Sequence, residues 1–187
     1  MLGFAGPAEL DAWLASAHAT SAGIWLRCAK KGCPELSVTY AEAVEVVLCW
    51  GWIDGQKAAG DGDHFLQRLT PRRPRSRWSA VNVATVGRLT AAGRMRPPGL
   101  AAVAAAQADG RWDAAYAGAR TATVPPELAE ALASVPAAEA AFAALSGTNR
   151  YAVIYRISTL VTPQARVHKA AETAARLAQG WVPHPPS

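Results

Sequence analysis

The sequence predicts an α+β fold: a small antiparallel sheet with helices in the N-terminal half, followed by a mostly helical C-terminal part. Three observations carry this. Apolar residues alternate along "GIWLRCA". Two short runs, "WIDGQKAA" and "HFLQRLT", flank the turn "GDGD" and read as a hairpin. Beyond Ser79, apolar residues recur at helical spacing between serine caps, prolines and glycines.

Pro7 to Ala17 form the first predicted helix, with Leu10, Trp13 and Leu14 on one face. Ile24, Trp25 and Leu26 belong to a strand that ends in a turn at Gly32 to Pro34. Thr39 followed by Glu42 is a capping-box pattern, and its helix runs to about Trp50, grouping Val44, Val47 and Leu48. Gly51 is its stop. The hairpin follows. "PRRPRSR" cannot continue it, because Pro71 and Pro74 lack an N–H and the charges repel. Ser79 caps a helix to about Ala92, with Val83, Val86 and Leu89 inward, and Gly93 stops it. A helix from about Pro98 to Asp109 stops at Gly110. Pro125 and Pro126 precede a short helix, and Pro136 another. Ser146 caps a seventh, which buries Tyr151, Ile154, Tyr155 and Ile157, and Pro163 opens an eighth that reaches Gln179 and Gly180. "RWDAAY" and "RYAVIY" share a spacing and read as helix ends packed by aromatic pairs. The tail "WVPHPPS" reads as loose. The domains read from this are a sheet domain at 1–78, a helical connector at 79–125, a helical domain at 126–180 and a tail at 181–187.

A chain of 187 residues buries roughly two-thirds of its unfolded surface and needs no metal or disulfide to fold. Hydrophobic residues at 51% against 18% charged exclude a disordered chain. No apolar run approaches the ~20 residues of a membrane span. The start "MLGFAGPAELDAWLASA" lacks a basic region and carries Glu9 and Asp11, so the expected location is the cytoplasm. Three cysteines, Cys28, Cys33 and Cys49, cannot all pair, which fits a reducing compartment. Cys28 and Cys33 could begin a zinc site, but His18, His64, His168 and His184 are scattered and no second close pair follows. No metal and no cofactor is expected.

The net charge of +5 is concentrated: residues 61–120 hold ten basic and four acidic groups. Arg68, Arg72, Arg73, Arg75 and Arg77 fall within ten residues, with Trp78 and Asn82 close behind. Guanidinium forks bind phosphate or carboxylate, and a neighbouring aromatic offers a stacking surface. On the preceding strand, Trp52, Asp54 and Gln56 share a face by strand alternation. The predicted ligand site is therefore Trp52, Asp54, Gln56, Arg68, Arg72, Arg73, Trp78 and Asn82. Asp54 is expected to hold an arginine such as Arg68 or Arg72 rather than to transfer protons. No nucleophile elbow, P-loop or dinucleotide fingerprint occurs. A Cys49–His64 dyad would need Cys49 off the apolar side of its helix, and Asp61 and Asp63 read as turn residues. No catalytic residue is assigned.

The order of "AKKG", "SVTYAEAVEVVLCWGWIDG", "FLQRLTPRRPRSRWSAVN", "DGRWDAAY" and "LSGTNRYAVIYRI" resembles the YdeI/OmpD-associated family, also called bacteriocin-protection proteins, over about Gly23 to Gly180. The resemblance implies a link to resistance against cationic antimicrobial peptides and bacteriocins, with porin association in some members and no established reaction. The family's usual C-terminal ending is close to "AK-x-P-E-T-R-x-x-R-I". Here "LVTPQARVHKA" keeps only Pro163 and Arg166 of it, and Leu160, Val161, Gln164, Ala165 and Lys169 depart.

Three functional readings follow. The first is a non-catalytic stress or resistance protein that binds a small anionic or polar ligand, or a protein partner, through the Arg/Trp site. The second is a nucleic-acid binder using the arginine loop, although the helix after it carries only Arg88. The third is an enzyme using Asp54. A net charge of +5 opposes direct capture of cationic peptides.

Overall fold

The computed structural model describes residues 1–33 and 37–185. The Pro34 end of the predicted turn and the last two residues of the tail lie outside them. The chain forms two compact units, Met1–Ala115 and Tyr116–Ser187.

In the first unit, α1 (Pro7–Ala17) starts on a proline and buries Leu10 and Leu14. β1 (Ile24–Ala29) alternates buried and half-buried side chains, as the sequence predicts. α2 (Tyr40–Cys49) begins at a reciprocal capping box: Glu42 N–H donates to Thr39 Oγ1 at 3.3 Å, and Thr39 N–H donates to Glu42 Oε2 at 2.9 Å. β2 (Trp52–Ala59) and β3 (His64–Pro71) follow, and all pairing is antiparallel in the order β1-β3-β2. α2 packs on β2, and one face of the sheet contributes Ile24, Leu26, Leu69 and Trp52 to the core with Leu10, Leu14 and Leu48.

The register breaks once, between Asp54 and Lys57. Asp54 lies opposite Leu69, and Lys57 lies opposite Gln67, so Gly55 and Gln56 form a bulge. The buried Gln67 amide fills the space this leaves, donating to Gly55 O at 2.9 Å and to Gln56 O at 3.2 Å. The predicted common face of Trp52, Asp54 and Gln56 therefore does not form. Trp52 and Asp54 stay on the Leu69 side, whereas Gln56 is exposed in the bulge.

α3 (Ala80–Ala91) is capped by Ser79, whose Oγ accepts from Asn82 N–H at 3.1 Å. α4 (Pro97–Ala108) brings Gly99 against the carbonyl end of α2, where any side chain would overlap Cys49 O. The "RWDAAY" segment is a turn over residues 111–114 rather than a helix end, although Trp112 still makes an aromatic pair with Trp78 at 4.9 Å.

The second unit holds α5 (Pro126–Ala133), α6 (Pro136–Ala144), α7 (Gly147–Ser158) and α8 (Pro163–Ala178). Leu128, Phe142, Ile154, Ile157 and Leu177 belong to its core. Arg166, one of the two motif positions kept, joins α8 to α5 through Glu127 at 2.7 Å and donates to Leu160 O at 3.3 Å. The tail is not loose over its described part. His184 N–H donates to Asn149 Oδ1 at 2.9 Å, and Asn149 Nδ2 returns a bond to His184 O at 3.2 Å. The Trp181 ring lies under the Arg176 guanidinium at 4.0 Å. Among the described residues, no helix is long and apolar enough to cross a membrane.

Gly51 controls the passage from α2 to β2. Its φ is +72°, and a Cβ there would stand 2.8 Å from Pro98 O. Its own carbonyl accepts from Arg72 N–H at 3.0 Å. Gly51→Ala is expected to lower the unfolding free energy by about 2 kcal/mol or more, from left-handed strain plus the backbone clash. Urea unfolding checks this, and an unchanged midpoint would refute the requirement for glycine.

Candidate functional site

The arginine loop starts where β3 ends at Pro71. Arg72 is tethered by its backbone to Gly51, and Ser76 N–H closes a turn onto Arg73 O at 2.9 Å. The Arg72 guanidinium lies flat on Trp78, 3.5 Å from the ring centroid. Its Nη1 donates to Arg77 O at 3.1 Å and to Ser76 Oγ at 3.3 Å. Arg111, 35 residues further on, donates to Ser76 O at 2.8 Å, while its Nε reaches both Asp109 oxygens at 2.8 Å. That contact holds the Asp109 carboxyl below the usual carboxylate range.

The pinned loop closes one side of a groove of about 700 Å³. Asp54, Gln56, Arg68, Arg72, Arg73 and Ser76 line it. Ile53 and Thr70, which face each other across β2 and β3, line it as well. Arg68 lies 5.8 Å from the centroid of Trp25, its partner on β1. Arg73 is exposed, and among the described residues its side chain makes no hydrogen bond or ion pair, so its charge faces the groove uncommitted.

Three of the predicted site residues are elsewhere. Trp52 is buried in the core, with its indole N–H donating to His18 O at 3.3 Å and its ring edge-on to Trp13 at 5.9 Å. Trp78 is buried beneath Arg72 and supports the loop rather than lining the groove. Asn82 is half-buried in the first turn of α3 and does not line the groove.

The predicted Asp54–arginine anchor is also corrected. Asp54 Oδ2 accepts the Tyr40 hydroxyl at 2.6 Å. The register accounts for this, because Asp54 stands opposite Leu69 and on its side of the sheet, toward α2, whereas Arg68 is one position over and on the opposite side. Arg72 is held instead by Trp78, Ser76 and Arg77. Partial burial, followed by the Asp54 hydrogen bond and charge, raises the Tyr40 hydroxyl well above its ordinary value.

Sequence reasoning missed Tyr40, Ile53, Thr70, Ser76 and Arg111. Strand alternation carries a signal for two of them, since Thr70 stands two residues from Arg68 and opposite Ile53. Arg111 has no local signal at all.

The fold and groove define a two-unit α+β and helical protein with an arginine-lined surface site. The chain belongs to the family described as domain of unknown function (DUF8412), whose model matches residues 2–102, and it carries over residues 121–180 a domain matched by the model described as Bacteriocin-protection, YdeI or OmpD-Associated. The groove lies wholly within the first match, and the kept Pro163 and Arg166 lie within the second. No curated protein and no solved structure matches the chain.

The Tyr40–Asp54 contact has a definite pH signature. A tyrosine whose folded pKa is raised adds stability that is complete below its unfolded value, near 10, and is lost as pH rises through the folded value. Spectrophotometric titration should show one late-ionising tyrosinate fewer in Tyr40→Phe, and the alkaline fall in stability above about pH 10 should be shallower in that variant. A late-ionising population of unchanged size in Tyr40→Phe contradicts the assignment.

Proposed function

We propose that the groove between the β2–β3 hairpin and the arginine loop binds a small anionic ligand, carboxylate or phosphate in character, and that the protein works as a non-catalytic binding module. One observation supports this above the others: Arg68, Arg72 and Arg73 meet at a groove whose nearest acid, Asp54, is engaged with Tyr40. Among the described residues, Arg68 and Arg73 make no ion pair, so their guanidinium charge faces the groove. Gln56, Ser76 and Thr70 supply neutral polar groups beside it, and Ile53 supplies an apolar surface, a mixture suited to a small polar molecule.

The description of the C-terminal match names bacteriocin protection. Carried to this chain, that role acts through the anionic ligand, because a protein of net charge +5 repels a cationic peptide. A cytoplasmic setting fits Cys28, Cys33 and Cys49, all of which are free thiols. Asp54 as a proton-transfer group is disfavoured by its bond to a phenol that holds its proton.

Arg73→Ala is the sharpest variant, since the side chain is exposed and supports nothing else. Titration calorimetry with inorganic phosphate and with citrate should show at least a roughly tenfold loss of affinity at an unchanged melting temperature. Equal binding by the variant overturns the groove as the site. Tight binding of an oligonucleotide, with affinity falling steeply as salt rises, would move the reading to nucleic acid.

A further inference from the structure

The groove continues onto a face of the sheet that the core does not use. Ile24, Leu26 and Leu69 belong to the core, so the residues between them on β1 and β3 point the other way. Trp25 and Arg68 are cross-strand partners on that outer face, and Ile53 and Thr70 are partners there as well. Trp25, Ile53 and Leu66 are half-buried, and among the described residues none of the three belongs to either hydrophobic core. A tryptophan placed on a strand but outside the core presents a flat apolar surface.

Arg68 joins this face to the groove, because it lines the groove and also reaches the Trp25 ring. Both of its contacts are long. Its guanidinium carbon lies 5.8 Å from the Trp25 centroid, against 3.5 Å for Arg72 on Trp78. Its Nη2 lies 3.5 Å from Ala22 O, at the outer limit of a hydrogen bond. A guanidinium held this loosely turns to a ligand without breaking a close stack. Gly23 leaves it the room: its φ is +120°, and a Cβ there would stand 3.0 Å from Arg68 Nη2 and 2.6 Å from Leu69 O. From Arg68 to Arg72 the extended chain runs about 13 Å. A ligand that uses both ends must therefore carry its anionic group well away from its flat ring. An acid whose carboxylate sits directly on the ring is too short.

We propose that the groove and the outer face of the sheet together bind a nucleoside monophosphate, with the phosphate at Arg73 and Arg68 and the base stacked on Trp25. This rests on the reading of the groove as an anion site and names the class of anion. Guanidinium forks take phosphate oxygens in pairs, and an indole face accepts any base. Ile53 and Thr70, which line the groove and lie on the same face of the sheet as Arg68, give the sugar an apolar and a hydroxyl contact between the two ends. A bare phosphate fills only the cationic end, and a free base only the aromatic one.

Titration calorimetry on the full chain compares adenosine monophosphate, ribose 5-phosphate and inorganic phosphate. The nucleotide should bind about tenfold tighter than ribose 5-phosphate, the usual gain from stacking one base. Trp25→Leu should remove that advantage and leave ribose 5-phosphate binding unchanged, whereas Arg73→Ala should weaken all three. A second readout uses the unmodified protein and decides the matter if Trp25→Leu does not fold: the Trp25 indole N–H signal, assigned by NMR among the seven tryptophans, should shift with the nucleotide and not with phosphate. Equal binding of the nucleotide and ribose 5-phosphate, or a Trp25 signal unmoved at saturating nucleotide, overturns the stacking seat and leaves the anion groove standing. No binding of any of the three overturns the groove itself. Affinity that climbs steeply along a series of oligoadenylates overturns the mononucleotide in favour of a single strand.

Discussion

The Arg72 guanidinium stacked on Trp78 is the interaction on which the arginine loop depends. A loop with two prolines and repelling charges has no backbone ladder to order it. What orders it is one cation pressed at 3.5 Å against a buried indole, which also pairs with the Trp112 ring. A desolvated stack of this kind contributes about 2 kcal/mol, whereas an exposed ion pair contributes about 0 to 1. Arg111 adds a brace from outside by donating to Ser76 O. Arg72 is held by a ring and by carbonyl and hydroxyl groups, and the carboxylate of Asp109 serves the loop through Arg111. Arg68 and Arg73 line the groove beside it.

The central strand β3 is the second constraint. It pairs on both sides, with β1 and with β2, and so has no free edge along its length. Its two ends carry different chemistry. At Pro71 it feeds the arginine groove, and at His64 it presents an imidazole between the Asp61 carboxylate and the Cys33 thiol. At the groove, Ile53, Asp54, Arg68 and Thr70 come from the strands, whereas Arg72, Arg73 and Ser76 come from the loop. The helical second unit is built on its own core. There the kept Arg166 has a structural task, tying α8 to α5 and to the chain just before α8, while the altered Val161 beside it is almost fully exposed.

Much of this was legible from local chemistry. Thr39 with Glu42, Ser79, Ser146 and Pro163 mark helix starts because each satisfies or lacks a particular N–H, and all four begin helices. Asp54, Gln56, Arg68, Arg72 and Arg73 could be gathered because a hairpin and the loop after it are neighbours by connectivity. The bulge was not legible, since it depends on Gln67 reaching the Gly55 and Gln56 carbonyls across the sheet. It removes Gln56 from the face that Trp52 and Asp54 share. Tryptophan was the other source of error. Trp52 and Trp78 read as site residues because indole serves both ligands and cores, and here burial wins for both. Cys33 with His64 had no signal, because their meeting is made by the β1–β3 pairing and not by spacing.

The most direct test is a double-mutant cycle between Arg72→Ala and Trp78→Leu, read as unfolding free energies in urea. If the stack organises the loop, the two changes are strongly non-additive, with a coupling of at least about 1 kcal/mol. Additive losses, with a coupling near zero, would show that Arg72 and Trp78 act separately and would contradict the account.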